Sequence, residues 1–299
     1  MFEALFLWLA ARSAGIRRCL FRVFFDRLSR HTAAADWWTF MNYGYAEAEE
    51  ARSCIVLDPY EERERYCIQL YRHVVSGCDL AGKDVLEVSC GRGGGASYLS
   101  RCFAPRALTA VDFAPAAIDF CRRVHHVPGL GFLVGDAEHL PTADASMDVV
   151  IDIESSFCYG DIDRFLAEVR RVLRPGGRFL YADMRFAEEI DAWMAAIRRS
   201  GLMLDLVEDI TANVVKALAL DGRRRSADNR RLTIWPLRRA LSTFAGTEGT
   251  RYPTLLRSGR LRYLRFVLRK PEQAVPMPSQ ESNPPPAEKL PVAASALRP

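Results

Sequence analysis

Between residues 60 and 270, short apolar runs alternate with stretches of helical periodicity. Alternation of that kind predicts βαβ units around a parallel sheet. Strands are expected at 84–88, 108–111, 132–134, 149–153 and 178–182. A sixth is expected at 202–207, and a seventh at 261–268, where an alternating pattern suits the sheet edge. Helices are expected at 116–124 and 164–173, the latter stopped by Pro175-Gly176-Gly177. Residues 209–260 read as partly helical and long enough to form a cap.

The two ends depart from this pattern. The first thirty residues mix large apolar side chains with Arg12, Arg17, Arg18, Arg22, Arg27 and Arg30. The apolar run before Arg12 is shorter than the roughly 20 residues that span a bilayer, and it lacks the basic start of a secretory signal. On a helical wheel Leu5, Leu9, Ile16, Leu20, Val23 and Phe24 share one face, Arg18 and Arg22 lie opposite, and Phe21 and Phe25 blur the separation. Such a helix either covers the domain or lies on a membrane surface. From Pro271 onward Pro, Ser, Ala and Glu dominate, a composition that cannot pack a core. The chain therefore divides into a front helix (1–35), a main domain (36–270, with core 80–185 and cap 209–260) and a disordered tail (271–299).

Composition adds little to that division. Of 299 residues, 49% are apolar, enough for a sizeable core, and the formal charge of +4 is too mild to indicate nucleic acid. Eight cysteines carry no metal-ligand spacing and suit a reduced, cytoplasmic setting, so no metal is expected.

The stretch EVSCGRGGGASYL (87–99) carries the candidate chemistry. Glycines between a strand and a helix let backbone approach a ligand at the helix N-terminus. A Walker phosphate loop would need a Gly-Lys-Ser/Thr, which is absent. Gly91, Gly93 and Ala96 formally meet the dinucleotide fingerprint. S-adenosylmethionine is the third candidate. It carries an ammonium and a sulfonium but no phosphate, so an acid at Glu87 suits it and would repel a pyrophosphate. Three more acids follow strands: Asp112, Asp136 (with Ala137) and Glu154. In a parallel sheet all four fall on the carboxyl edge, where ligands bind. Asp112 can accept from ribose hydroxyls and Asp136 from an adenine amino group. Singly, they read equally as a helix cap and a turn residue.

With these motifs in view, residues 83–183 resemble class I S-adenosylmethionine-dependent methyltransferases, a Rossmann-like α/β fold with a seven-stranded sheet. More narrowly, LEVSCGRGGGASYL, VPGLGFLVGDAEHLP, ESSFCY, FLAEVRRVLRPGGRFLYADMR and, near the front, FMNYGYAE are similar to the mycobacterial phthiotriol/phenolphthiotriol dimycocerosate methyltransferases, over about residues 36–270. The resemblance implies cofactor contacts at Glu87, Ser89, Gly91, Gly93, Asp112, Phe113, Asp136 and Ala137. It places Ile153 and Glu154 near the methionine part, with Tyr43 and Tyr45 closing over the cofactor. Relatives often carry a histidine two residues after the Glu-Ser pair, as candidate base; Phe157 follows that pair here and cannot take a proton.

Methyl transfer is an in-line displacement that needs alignment and exclusion of water, and an aliphatic alcohol acceptor benefits from a base. Glu154 is the candidate for that work. His125 and His126 precede the third strand and are expected at the opposite edge; His139 reads as a loop residue, and His73 lies on a helix before the domain. The arginine run 223–225 with Arg230 and Arg231 reads as a solvated face or, together with the front helix, as a place to hold an anionic or membrane-borne substrate. The reading is an O-methyltransferase for a hydroxyl of a hydrophobic lipid or polyketide-like product, with peripheral membrane contact through the front helix. Alternatives are N- or C-methylation of another metabolite and a catalytically silent partner protein. No nucleic-acid partner is expected, because no nucleic-acid-binding module is recognisable.

Overall fold

The computed structural model describes residues 13–48, 55–232, 246–247 and 249–272. Seven strands form one sheet in the order β3-β2-β1-β4-β5-β7-β6. They are β1 (Asp84–Val88), β2 (Ala107–Asp112), β3 (Leu130–Val134), β4 (Met147–Ile153), β5 (Leu173–Phe186), β6 (Met203–Asp209) and β7 (Leu261–Arg269). The first five run parallel, and β7 is antiparallel to both β5 and β6. The helices are α1 (Ala14–His31), α2 (Arg65–Val75), α3 (Gly94–Cys102), α4 (Pro115–Val124), α5 (Ile162–Val172), α6 (Ile190–Arg199), α7 (Thr211–Leu232) and α8 (Arg251–Arg257).

Alternation along the strands builds two core layers. Val85, Leu180 and Ala182 meet α2, α3 and α4 through Leu70, Val74, Leu99 and Ile118. Leu86, Val88, Phe179 and Tyr181 meet α5 and α6 through Phe165, Val169, Trp193 and Ile197. Helix α5 shows the local logic. Asp161 caps it by accepting from the Arg164 amide at 3.0 Å, Arg170 and Arg171 close its last turn, and Phe165, Leu166, Val169 and Val172 form its buried stripe. Each of these large side chains contributes about 1.5–3 kcal/mol by leaving water.

Three expectations change. The seventh strand is not an edge strand: β7 lies between β5 and β6, and β6 forms the edge, with Met203 and Leu206 exposed. The arginines that break up β7 misled the pattern. Arg265 is only 4% exposed and donates to the Ser76 carbonyl at 2.9 Å while pairing with Glu208 at 3.1 Å. Second, Pro175-Gly176-Gly177 does not simply end a helix. Helix α5 stops at Val172, and these residues bulge out within β5, whose pairing with β4 jumps from Leu173 to Arg178.

Third, the packed face of the front helix is shifted: Leu20 and Phe24 pack as expected, and Phe21 and Phe25 join them. Phe21 is buried and packs on Cys158, with Phe157 edge-on at 5.9 Å, while Ile16 and Val23 are exposed. Its upstream positions, Leu5 and Leu9 among them, lie outside the described residues. So do 233–245 of the cap and the tail from 273 onward. Among the described residues no helix is long and apolar enough to cross a membrane.

Candidate active site

The carboxyl ends of β1, β2 and β4 open into a cleft that α1 and α7 cover. It encloses about 1690 Å³ of atom-free space, continuous with solvent. Its lining includes Ser89, Gly91, Asp112, Phe113, Asp136 and Ala137 from the strand ends. It also includes a large apolar set, Phe24, Phe25, Leu28, Trp38, Met41, Phe157, Met184 and Leu232, and the charged Arg224, Arg225 and Asp228. Tyr43, Ile153 and Glu154 also line the cleft.

The glycine loop is shaped by close approach. Ser89, Gly91 and Gly93 all have positive φ (56°, 54° and 74°), which turns the chain from β1 into α3. A Cβ at residue 95 would fall 1.9 Å from the Tyr71 ring, so only glycine lets α2 pack there. Gly91 is different: a Cβ there would meet only the Met41 sulfur at 3.4 Å. Arg92 is 1% exposed. It donates to the carbonyls of Trp38 (2.5 Å), Thr32 (3.2 Å) and Ala35 (3.0 Å) and to the Thr32 hydroxyl (3.0 Å), with its guanidinium over the Phe120 ring. The loop thus grips the chain that runs from α1 to Tyr43.

Four acids gather at this edge. Asp112 accepts from the amides of Gly91 and Ala114, each at 2.9 Å, and burial pushes its carboxyl up to about 6 against those bonds. Asp136 accepts from the Glu138 amide at 3.0 Å and pairs with Arg18 of α1, which also reaches Glu138. Glu87 accepts from the Tyr71 hydroxyl at 2.6 Å, and burial pushes it up to about 8. Its other oxygen is buried and has no hydrogen-bond partner among the described residues, which leaves an acceptor for an incoming cation.

Glu154 has φ of 55°, is half-buried at the cleft and accepts from the Tyr43 amide at 2.7 Å. Burial pushes it up to about 8, opposed by that amide and by the neighbouring Tyr263 hydroxyl. Below them, Tyr159 donates to Asp152 at 2.6 Å, and its hydroxyl lies 2.7 Å from both Ser89 and Ser155.

Most of the sequence-derived residues therefore share one cleft, and three stand apart from its lining. Tyr45 stacks on His73 at 4.0 Å, away from the cleft, and His73 in turn bonds Glu208 at 3.0 Å. Gly93 faces Cys121, His125 and Phe132 in the interior, and Glu87 lies under the loop. His125 is not at the far edge: its ring nitrogen meets the Arg92 carbonyl at 2.8 Å, a structural contact. His139 is an exposed loop residue against Arg164. The arginine run is not a uniformly solvated face. Arg223, Arg230 and Arg231 are exposed, whereas Arg224 and Arg225 join Asp221, Asp228 and Glu64 in an inward ion network at the cleft. Sequence reasoning missed that network, as well as Arg18, Tyr71, Arg92 and Tyr159. Only the RRR run with acids at i−3, i−4 and i+4 offered any local signal.

A family model described as a methyltransferase domain matches residues 86–181. Solved structures agree on the fold. The cyclase SpnF superposes with a TM-score of 0.63 at 18% identity, over 83% of this chain and 94% of that one. The geranyl diphosphate C-methyltransferase of Streptomyces coelicolor, solved with S-adenosyl-L-homocysteine, gives 0.58 at 17% identity, over 81% and 98%. Sheet order, glycine loop and edge acids together with these matches define a class I S-adenosylmethionine-dependent methyltransferase, with S-adenosylmethionine as its cofactor. The relatives narrow this further. Over 248 residues the chain is 40% identical to the phthiotriol/phenolphthiotriol dimycocerosates methyltransferase of Mycobacterium leprae, covering 83% of this chain and 91% of that protein. Over 179 residues it is 45% identical to a fatty-acid O-methyltransferase of Mycolicibacterium smegmatis, covering 60% and 65%. The chain belongs to the phthiotriol/phenolphthiotriol dimycocerosates methyltransferase family.

Proposed function

We propose that this enzyme methylates a hydroxyl oxygen of a hydrophobic lipid or polyketide-like product. The observation that carries the reading is the cleft itself. Its lining joins acids and a glycine loop suited to a nucleoside and an amino-acid group with a large set of apolar side chains suited to a lipid. S-adenosylmethionine supplies the methyl group on a sulfonium, already a good leaving group.

The protein's work is to align, desolvate and manage one proton. In this reading Asp112 accepts from ribose hydroxyls, Asp136 and Ala137 border the adenine, and Phe113 packs beside them. Ser89, Gly91 and Gly93 set the loop, and Glu87 faces the ammonium. Ile153 and Tyr43 enclose the methionine part, where a desolvated cation gains from an aromatic neighbour. The relatives are named for lipid acceptors, which suit the apolar lining of Phe24, Phe25, Leu28, Met41 and Leu232. Phe157 stands where relatives have a histidine. Glu154 takes over the proton from the acceptor hydroxyl, its carboxylate made more basic by burial.

The exposed side of α1 suggests how such an acceptor arrives. Ile16 and Val23 point outward beside Arg22, Arg27 and Arg30, a pattern that suits peripheral contact with an anionic bilayer. Residues 1–35 then act as a covering extension on the 36–270 methyltransferase domain.

Incubation with methyl-labelled S-adenosylmethionine and a lipid extract tests the reading. The label should enter an organic-soluble product as an ether methyl, identified by mass spectrometry, and a methyl ester would instead mean a carboxylate acceptor. A methyl on nitrogen or carbon, or no transfer to any lipid fraction, would overturn it. Sedimentation with anionic vesicles at low and high salt tests the membrane contact; no binding at either salt would end it.

A further inference from the structure

Beneath the glycine loop a contact crosses from α2 to β1. Tyr71 passes over residue 95 and donates its hydroxyl to Glu87 Oε1 at 2.6 Å. The route exists because Gly95 has no side chain; a Cβ would sit 1.9 Å from the tyrosine ring. Phe40 holds the ring edge-on, with centroids 5.8 Å apart. Both partners are buried, Glu87 at 2% exposure and Tyr71 at 7%. Glu87 Oε2 is also buried and lacks a hydrogen-bond partner among the described residues. Buried acceptors are nearly always paired, so an open one beside a ligand cleft calls for a donor that arrives with the ligand.

We propose that Tyr71 is a positioning residue for the cofactor's amino-acid end: it fixes one oxygen of Glu87 and so leaves the other ready for the ammonium of S-adenosylmethionine. The assignment rests on the role given to Glu87 above. It adds a second residue, on an element before the methyltransferase motifs, and a proton to the binding step.

The proton follows from the surroundings. Glu87 is faced by Tyr71 from α2, Asp112 from β2 and Asp152 from β4; Cys90 and Glu154 lie near the tyrosine. None of these is a cation. Burial pushes the Glu87 carboxyl up to about 8, the two aspartates push the same way, and only the Tyr71 bond pulls it down. The carboxyl is therefore mostly protonated at neutral pH until an ammonium arrives, and pairing with that ammonium expels the proton to solvent. Affinity for a ligand with the amino-acid group must then rise with pH. Loss of the Tyr71 hydroxyl removes a bond that favours the carboxylate, so the rise moves to higher pH.

Two ligands separate this from simple packing. S-adenosylhomocysteine carries the ammonium, and 5′-methylthioadenosine lacks the whole amino-acid group. Titration calorimetry between pH 6 and 7.5 stays below the range where the ligand's own ammonium, like other α-amino groups, deprotonates at about 7.7–8.0. In the wild-type protein, S-adenosylhomocysteine should bind more tightly as pH rises and release a proton, seen as heat that depends on the buffer. Methylthioadenosine should show only the small effect at the acid end of the range that Asp112, facing the ribose of both ligands, gives to each. Tyr71→Phe keeps the ring and should weaken S-adenosylhomocysteine about tenfold at pH 7, with methylthioadenosine within about twofold. Equal weakening of both ligands, or of neither, overturns the positioning role. Glu87→Gln tests the underlying reading: if it affects both ligands alike, Glu87 does not face the ammonium. If it is selective while Tyr71→Phe is not, only the tyrosine assignment fails. Absence of proton release in the wild-type protein sinks the proposal without recourse to a variant.

Discussion

Glu154 combines three properties at one position: a left-handed backbone, a half-buried place on the cleft and a carboxyl pushed up to about 8. As the base, it should make turnover rise as pH climbs toward 8, because only the carboxylate can take a proton. Glu154→Gln should cut kcat by about 10²–10⁴-fold while leaving cofactor affinity nearly unchanged, as read by steady-state kinetics beside calorimetry. The opposite split would make Glu154 a cofactor residue. Asp112 serves two ends, since it also ties Gly91 and Ala114 to the loop. Asp112→Ala should weaken S-adenosylhomocysteine by about 1–3 kcal/mol. An unaltered affinity would reduce Asp112 to a cap. These acids were legible in the sequence because each follows its strand directly, and strand ends define the ligand edge. Tyr71, Arg18 and Arg92 were not, because their partners lie on remote elements and no local pattern announces such pairs.

At the scale of elements, the strands were legible and their neighbours less so. The core strands β1 to β5 read out correctly because each is an apolar run bounded by turn residues. The place of β7 inside the sheet could not be read, since Arg265 looks like a solvent residue until its carbonyl partners are known. The same ambiguity shifted the packed face of α1, where Phe21 and Phe25, which blurred the wheel, pack beside Leu20 and Phe24. Helix α1 is held by Phe21 on Cys158 with Leu20, Phe24 and Phe25 around it, by Arg17 on the Tyr159 carbonyl at 3.0 Å, by Arg18 on Asp136 and Glu138, and by Asp26, which accepts from the Ala116 amide at 3.3 Å. Phe21→Ala removes the centre of that cluster and should loosen α1 locally rather than melt the domain. Trypsin should cut at Arg17, Arg18 or Arg22 much faster, with little change in Tm. Unchanged cleavage would mean that α1 is held by other contacts.

For the molecule as a whole, the buried acids set a pH dependence. Glu64, Glu87, Asp112, Asp152 and Glu154 are all raised, to between about 6 and 8. Above their unfolded values near 4, each binds more proton folded than unfolded, so the ligand-free protein must lose stability as pH rises. That loss is complete once pH exceeds the folded values. The Tm without ligand should fall steadily between pH 5 and 8.5, and a saturating cofactor should flatten the fall by pairing Glu87. A Tm that rises over this range would show that these carboxyls are ionised in the folded state at low cost. Exposed pairs such as Arg106–Asp84 act in the opposite sense, but their lowered carboxylates matter only in more acidic solution.

Arg92 has a consequence for how the segment between α1 and the cleft can change. Three of its contacts are to carbonyls, which every residue type provides. The guanidinium therefore recognises the course of the chain at 32–38 rather than its spelling. Exposed Ala33 and Ala34 are open to substitution, while their backbone path stays pinned to the glycine loop. One inward-facing side chain lets the covering segment diversify for new acceptors without loosening its hold on the loop beneath.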